Sequence, residues 1–160
     1  GLMPEICARD IPFMGCCYGL GILAHHLGGT VAKGRYGEPV GVSACTVTAE
    51  AADDPLLQGL PTQFDAFVGH KEAVEVLPEN CAHLVRSGPC PVQMIRHKRN
   101  VYATQFHPEA DAADFATRIR VYRNHGYFPP DTADDLIAAC AAASVTVPGE
   151  ILRRFARRYG

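Results

Sequence analysis

The sequence predicts an α/β domain. Two observations carry that expectation. Residues 11–27 read as a buried strand, a very tight turn and a helix, and residues 40–105 hold a series of short strand-like runs that give way to helical periodicity after residue 110. At 160 residues the chain is long enough for one domain with a real core. Its 48% hydrophobic and 20% charged residues match an ordinary soluble globular protein. A net charge of −2 gives no electrostatic case for binding nucleic acid or an anionic membrane. No apolar run approaches the length of a membrane span, and no basic segment precedes an apolar core near the start.

Residues 3–9 read as the last turns of a helix that Asp10 ends, and residues 11–14 as the strand that follows. Residues 18–27 form a helix with Leu20, Leu23, Ala24 and Leu27 on one face, stopped by Gly28-Gly29. His25 and His26 lie near its C-terminus, where cations are favoured, and read as solvated or capping residues; no third ligand follows at metal-site spacing. Residues 31–41, rich in glycine and polar residues, read as a loop over the site, and residues 40–47 as a strand. Residues 53–61 are a turn-rich connection with one helical turn at Leu56-Leu57. A strand at 64–68 ends at Gly69-His70, and further short strands fall at 74–76, 83–87, 92–96 and 101–105, with turns at Asn80 and Arg99-Asn100. Helices follow at 112–122, at 131–142 with Asp131 or Thr132 as N-cap, and at 148–158, where Arg153, Arg154, Arg157 and Arg158 form a solvated basic face. The domain is expected to span residues 1–125, with residues 126–160 a helical extension packed on it.

The stretch that carries chemistry is Gly15-Cys16-Cys17-Tyr18-Gly19. It has the form of a nucleophile elbow written with cysteine. Such a turn crowds its neighbours, so glycines two residues before and after the nucleophile remove side chains that would clash. Gly15 and Gly19 flank Cys17 in that frame; for Cys16 the flanking residues are Met14 and Tyr18, which do not fit. A thiol in this position sits at a helix N-terminus, where free backbone N–H groups favour the thiolate. The seven cysteines are odd in number, irregularly spaced and without a Cys-x-x-Cys pair, which fits neither a disulfide framework nor a metal site and suits a reducing cytoplasm. Taken alone, the five-residue pattern is equally a loop with two buried thiols.

A second motif, Gln105-Phe106-His107-Pro108-Glu109, ends a strand. Pro108 keeps the chain extended, so His107 and Glu109 project to the same side, where a carboxylate fixes the imidazole tautomer and supports its cation. Cys17 as nucleophile, His107 as base and acid, and Glu109 as orienter are the parts that acyl transfer from an amide requires.

The two motifs together resemble those of the class I (triad-type) glutamine amidotransferases, in particular the amidotransferase domains of GMP synthases and their stand-alone relatives. Ala24-His25-His26-Leu27-Gly28-Gly29, Phe67-Val68-Gly69-His70-Lys71-Glu72-Ala73-Val74 and Cys90-Pro91-Val92-Gln93 resemble intervening segments of that family. The resemblance covers residues 11–110. It implies a three-layer, flavodoxin-like α/β fold with a largely parallel central sheet, flanking helices and an accessory antiparallel region. It also implies hydrolysis of the glutamine side-chain amide through a Cys17 thioester, with no cofactor and no metal. Tyr18, Gly19, Gly69, His70, Gln105 and Phe106 are the implied substrate-binding residues, the Tyr18 N–H serving as an oxyanion donor. The implied partners are glutamine and a synthetase or other acceptor site that takes the ammonia.

Two features depart from the family pattern. Gly21 stands four residues after the nucleophile, where the family has a glutamine that holds the substrate. Only 16 residues precede Cys17, too few for the strands and Gly-rich loop expected ahead of the elbow, so the sequence is expected to be part of a longer protein. A DJ-1/PfpI-like cysteine hydrolase shares the elbow but usually lacks His-Pro-Glu at a strand end. A non-catalytic relative is the third alternative.

Overall fold

The computed structural model describes residues 1–160. The first helix, α1 (Met3–Arg9), ends as expected at Asp10, which adopts a left-handed conformation with φ 55°. Strand β1 (Phe13–Cys16) runs directly into the elbow, two residues later than the sequence pattern placed it, and α2 (Tyr18–His26) follows. Then come the long strands β2 (Thr30–Val47) and β3 (Gln63–Val76), and the shorter β4 (Cys81–Ser87), β5 (Met94–His97) and β6 (Val101–Thr104). Three helices complete the chain: α3 (Ala112–Tyr122), α4 (Ala133–Ala142) and α5 (Val147–Tyr159).

The six strands form one sheet in the order β1-β6-β5-β4-β2-β3. The α/β class holds, but within this chain only β1 and β6 pair in parallel; the other neighbours are antiparallel. The reason is connection length. A parallel pair needs a long crossover, which β1 and β6 have, whereas β4, β5 and β6 are joined by short turns that reverse direction.

Alternation along the strands divides the core between the two faces of the sheet. Val101 and Ala103 point with Ile95 towards α1 and α2, where Leu20, Leu23 and Ala24 are fully buried. Tyr102 and Met94 point the other way, into a cluster with Phe64, Leu84, Phe106 and Ile151 of α5. A third cluster, Phe67, Phe115, Ile119, Phe128 and Cys140, seats α3 and α4 against β2 and β3. The segment beyond residue 125 therefore contributes to two of these clusters. The buried Asp54 ties the 53–61 connection to the sheet by accepting from Arg96 Nε at 2.8 Å.

Three expectations need correction. Residues 31–41 are part of β2 rather than a loop; their glycines and polar residues look unstructured, yet they pair with β3 through two register irregularities around Glu38. The strands expected at 64–68 and 74–76 are one strand, so Gly69 and His70 lie inside β3 rather than at a strand end. The helix expected from residue 131 starts at Ala133 after a 3-10 turn, and its N-cap, Thr132, donates its hydroxyl to the Pro129 carbonyl instead of capping the helix. No single helix is long and apolar enough to cross a membrane.

Candidate active site

The elbow is anchored from both sides. Cys17 takes φ 51° and ψ −95°, a conformation that L-residues rarely adopt. It is held there because its N–H donates to the Thr104 carbonyl at 2.7 Å and its carbonyl accepts from the Leu20 N–H at 3.0 Å. Gly15 is sterically required: a Cβ there meets Phe13 Cε1 at 2.8 Å and the backbone of Gly19 at 3.0 Å. The expected reason for Gly19 is corrected, since a Cβ on Gly19 meets nothing within 4 Å. Gly19 matters as the backbone against which Gly15 packs.

The two adjacent thiols differ in environment. Burial, with the Glu109 charge nearby, pushes the Cys16 thiol up to about 11. Cys17 instead lines a cavity of about 500 Å³.

The imidazole reaches Cys17 from the end of β6. Past Thr104, the Gln105 N–H donates to the Gln93 carbonyl at 2.8 Å and the His107 N–H to the Phe67 carbonyl at 2.9 Å. These bonds fix the segment that leads to Pro108. His107 Nδ1 lies 2.6 Å from Glu109 Oε1. The carboxylate assigns the Nδ1 proton, and the Cys17 thiol is the other group that raises the pKa of the ring. Burial pulls the His107 pKa down, but the hydrogen bonds to Cys17 and Glu109 outweigh it and raise it to about 9. For Glu109 burial works upward, and the His107 hydrogen bond, its own backbone N–H and the Arg118 charge bring it down to about 2.

Of the expected substrate-binding residues, Tyr18, Gly69, His70 and Gln105 line the cavity together with Cys17. Gln105 Nε2 stands 3.7 Å from Cys17 Sγ. Gly19 and Phe106 are not among the lining residues. Phe106 as a substrate contact is corrected: its side chain is fully buried in the core and packs edge-on against Phe64 at 6.0 Å. Gly21 also lines the cavity, and a Cβ there would make only ordinary contact with Val31.

Behind the cavity wall lies a buried polar network that the sequence did not reveal. The Glu38 carboxylate accepts from Ser43 Oγ at 2.6 Å, Gln93 Nε2 at 2.6 Å and His70 Nε2 at 2.8 Å. His70 Nδ1 faces the Glu72 carbonyl at 2.8 Å. Both His70 ring nitrogens thus face oxygen atoms, and the Glu38 and His70 side chains are each 3% exposed. Burial pushes the Glu38 carboxyl upward; the bonds from His70, Ser43 and Gln93 more than offset this and leave it below the usual carboxylate range. Glu38, His70 and Cys90 bring ligand-type atoms within 4.8 Å of one another. That donor set does not fit a metal, because the Glu38 oxygens and the His70 nitrogens are already engaged and burial pushes the Cys90 thiol up to about 12.

Arg118 was also not foreseen. From α3 its Nη2 donates to Glu109 Oε1 at 3.2 Å. Nor was Tyr127, which reaches the cavity rim and lies under the Lys71 ammonium at 4.3 Å. Both act across turns and helices that no local pattern connects to the elbow.

A strained cysteine at the start of a helix, facing an imidazole that a carboxylate orients, is equipment for acyl transfer. Residues 2–121 match the family model for the class-I glutamine amidotransferases. The glutamine-hydrolyzing GMP synthase of Thermosipho melanesiensis is 38% identical over 114 residues, which is 69% of this chain and 21% of that protein. One subunit of the glutamine-hydrolyzing GMP synthase of Archaeoglobus fulgidus is 34% identical over 116 residues, 72% of this chain and 60% of its own length. A glutamine amidotransferase structure from Thermotoga maritima superposes with a TM-score of 0.81 at 24% identity, over 99% of this chain and 66% of its own, a likeness of fold. The chain belongs to the class-I glutamine amidotransferase family. It spans about a fifth of the Thermosipho protein and 60% of the Archaeoglobus one.

Proposed function

We propose that this domain hydrolyses the side-chain amide of glutamine and delivers the ammonia to a synthetase or other acceptor partner in the cytoplasm. The observation that carries the reading is the Cys17–His107–Glu109 set, whose Cys17 lines a cavity of about 500 Å³. Cys17 Sγ attacks the amide carbon, and the proton that His107 holds passes to the departing nitrogen as the C–N bond breaks. Ammonia leaves and a thioester remains. Water then attacks the thioester, His107 takes its proton, and glutamate is released as the C–S bond breaks. The Tyr18 N–H opens α2, ahead of the bond from the Leu20 N–H to the Cys17 carbonyl, and suits the oxyanion. Glu109 keeps the ring in the tautomer that faces Cys17. The names of the relatives, which include a separate subunit of a GMP synthase, support a synthetase as the partner.

The test is glutamate release from glutamine together with mass-spectrometric trapping of the thioester. Cys17→Ala abolishes both, and His107→Ala loses nearly as much, because members of such a set are not additive. Glu109→Ala loses less. Near-wild-type turnover in His107→Ala overturns the assignment. A thioester formed with another amide but not with glutamine shows that the substrate is wrong.

A further inference from the structure

We propose that Arg118 is a positioning residue of the catalytic set, anchoring Glu109 and placing a fixed positive charge beside the His107 ring so that the imidazole releases its proton more readily than it would beside Glu109 alone. The proposal rests on the reading of Cys17, His107 and Glu109 as one hydrolytic unit.

The geometry starts with α3. Asp111 and Asp114 cap it reciprocally, at 2.9 and 3.1 Å, which fixes where its first turn begins. Arg118 lies one turn beyond Asp114, on the face that looks back at His-Pro-Glu. Phe115, stacked on Phe67 at 4.7 Å, carries the guanidinium 5.5 Å above its ring. From there Nη2 donates to Glu109 Oε1 at 3.2 Å, the same oxygen that faces His107 Nδ1 at 2.6 Å.

The second contact has the opposite character. Arg118 Nη1 lies 3.2 Å from His107 Nδ1. A guanidinium only donates, and the Nδ1 proton already points at Glu109, so this approach is not a hydrogen bond. It sets a permanent cation against a ring that becomes cationic when it accepts a proton. Glu109 stabilises that imidazolium and Arg118 opposes it.

The reaction needs both influences. His107 must hold a proton to give to the leaving nitrogen, then lose it to act as base towards water. A carboxylate alone drives the ring towards permanent protonation, which stalls hydrolysis of the thioester. The remaining titratable groups near the ring are Cys17 from the elbow and Cys16 from β1, the latter acting through Glu109; Phe115 from α3 is uncharged.

The experiment is a titration of the His107 ring by 15N NMR in the full chain, with Arg118→Met and Arg118→Lys, alongside glutamine turnover from pH 6 to 10. In Arg118→Met the ring titration moves up by about one pH unit, the size expected for removing one partly solvated charge nearby. Turnover at pH 7 falls by about tenfold with the thioester accumulating, and raising the pH restores it, because one pH unit is a tenfold change in unprotonated His107. Arg118→Lys keeps the charge and lies between the two. An unchanged or lowered His107 titration overturns the proposal, as does a turnover loss that is independent of pH. Absence of glutamine turnover in the wild-type chain counts against the substrate reading alone, because the NMR titration still decides the role of Arg118.

Discussion

Replacing Glu38 by alanine is expected to destabilise the protein by about 3–5 kcal/mol, the range for removing one partner of a buried ion pair. The magnitude follows from what the carboxylate holds. It accepts three short hydrogen bonds, from Ser43, His70 and Gln93, all at 2.8 Å or less, and a longer one from Ser87 Oγ at 3.5 Å. Bonds to a charged group contribute roughly 1.5–3 kcal/mol each, and most of their gross sum is offset by the recovered solvation of the carboxylate. What remains is a His70 ring with 3% of its side chain exposed and no partner on Nε2. Urea unfolding followed by circular dichroism is the assay. With a slope of about 2 kcal/mol per M, the midpoint falls by roughly 2 M. Replacing both Glu38 and His70 by leucine recovers part of the loss, since no unpartnered ring is left buried. The pH dependence has a definite sign. The folded-state pKa of Glu38 is depressed, so its contribution is fully present above the unfolded carboxyl value of about 4.3 and is lost as the pH falls through the lower folded value. Acid unfolding of the wild type is therefore steeper than that of Glu38→Ala. A loss below about 1 kcal/mol, or a double variant whose loss equals the sum of the singles, refutes the reasoning.

Two further outcomes are expected. Limited alkylation at pH 7 followed by peptide mapping labels Cys17 first, since Cys16 and Cys90 are held up at about 11 and about 12 by burial; first labelling at either of those counts against the elbow frame. Gly21→Gln leaves the KM for glutamine unchanged or lowers it, because a Cβ at Gly21 meets only Val31 Cγ1 at 3.7 Å and the side chain has the cavity to enter; a large rise in KM with unchanged stability shows that the space at Gly21 is itself used by substrate.

How far the sequence could be read depends on how local each determinant is. The elbow and α3 were legible because the strand, turn and helix signals lie within a few consecutive residues. The 31–41 segment of β2 was not, since Lys33, Gly34, Arg35 and Gly37 have little strand propensity of their own. Its conformation comes from pairing with β3, which begins 16 residues after β2 ends. The same applies to side chains. His107 and Glu109 are two residues apart and announce each other, whereas Glu38 is separated by 32 residues from His70 and by 55 from Gln93. Phe106 shows the converse error: the family resemblance implied a role at the site, and the chain past β6 buries its ring in the core.

The parallel pairing of β1 with β6 sets Cys16 opposite Thr104, one residue before Cys17 on one strand and three before His107 on the other. The proposed nucleophile and base are thereby indexed to a shared ruler, marked in steps of about 3.3 Å. A shift of one mark between the strands separates the pair by a whole residue and turns the faces of β6 inside out, exchanging Tyr102 with Val101 and Ala103. The buried aromatic ring that makes such a slip intolerable to the core thus also guards the alignment of the chemistry. An insertion within 101–107 should act as an all-or-none lesion, abolishing reaction and fold together, whereas α3 carries Arg118 on a separate support and can be altered by degrees.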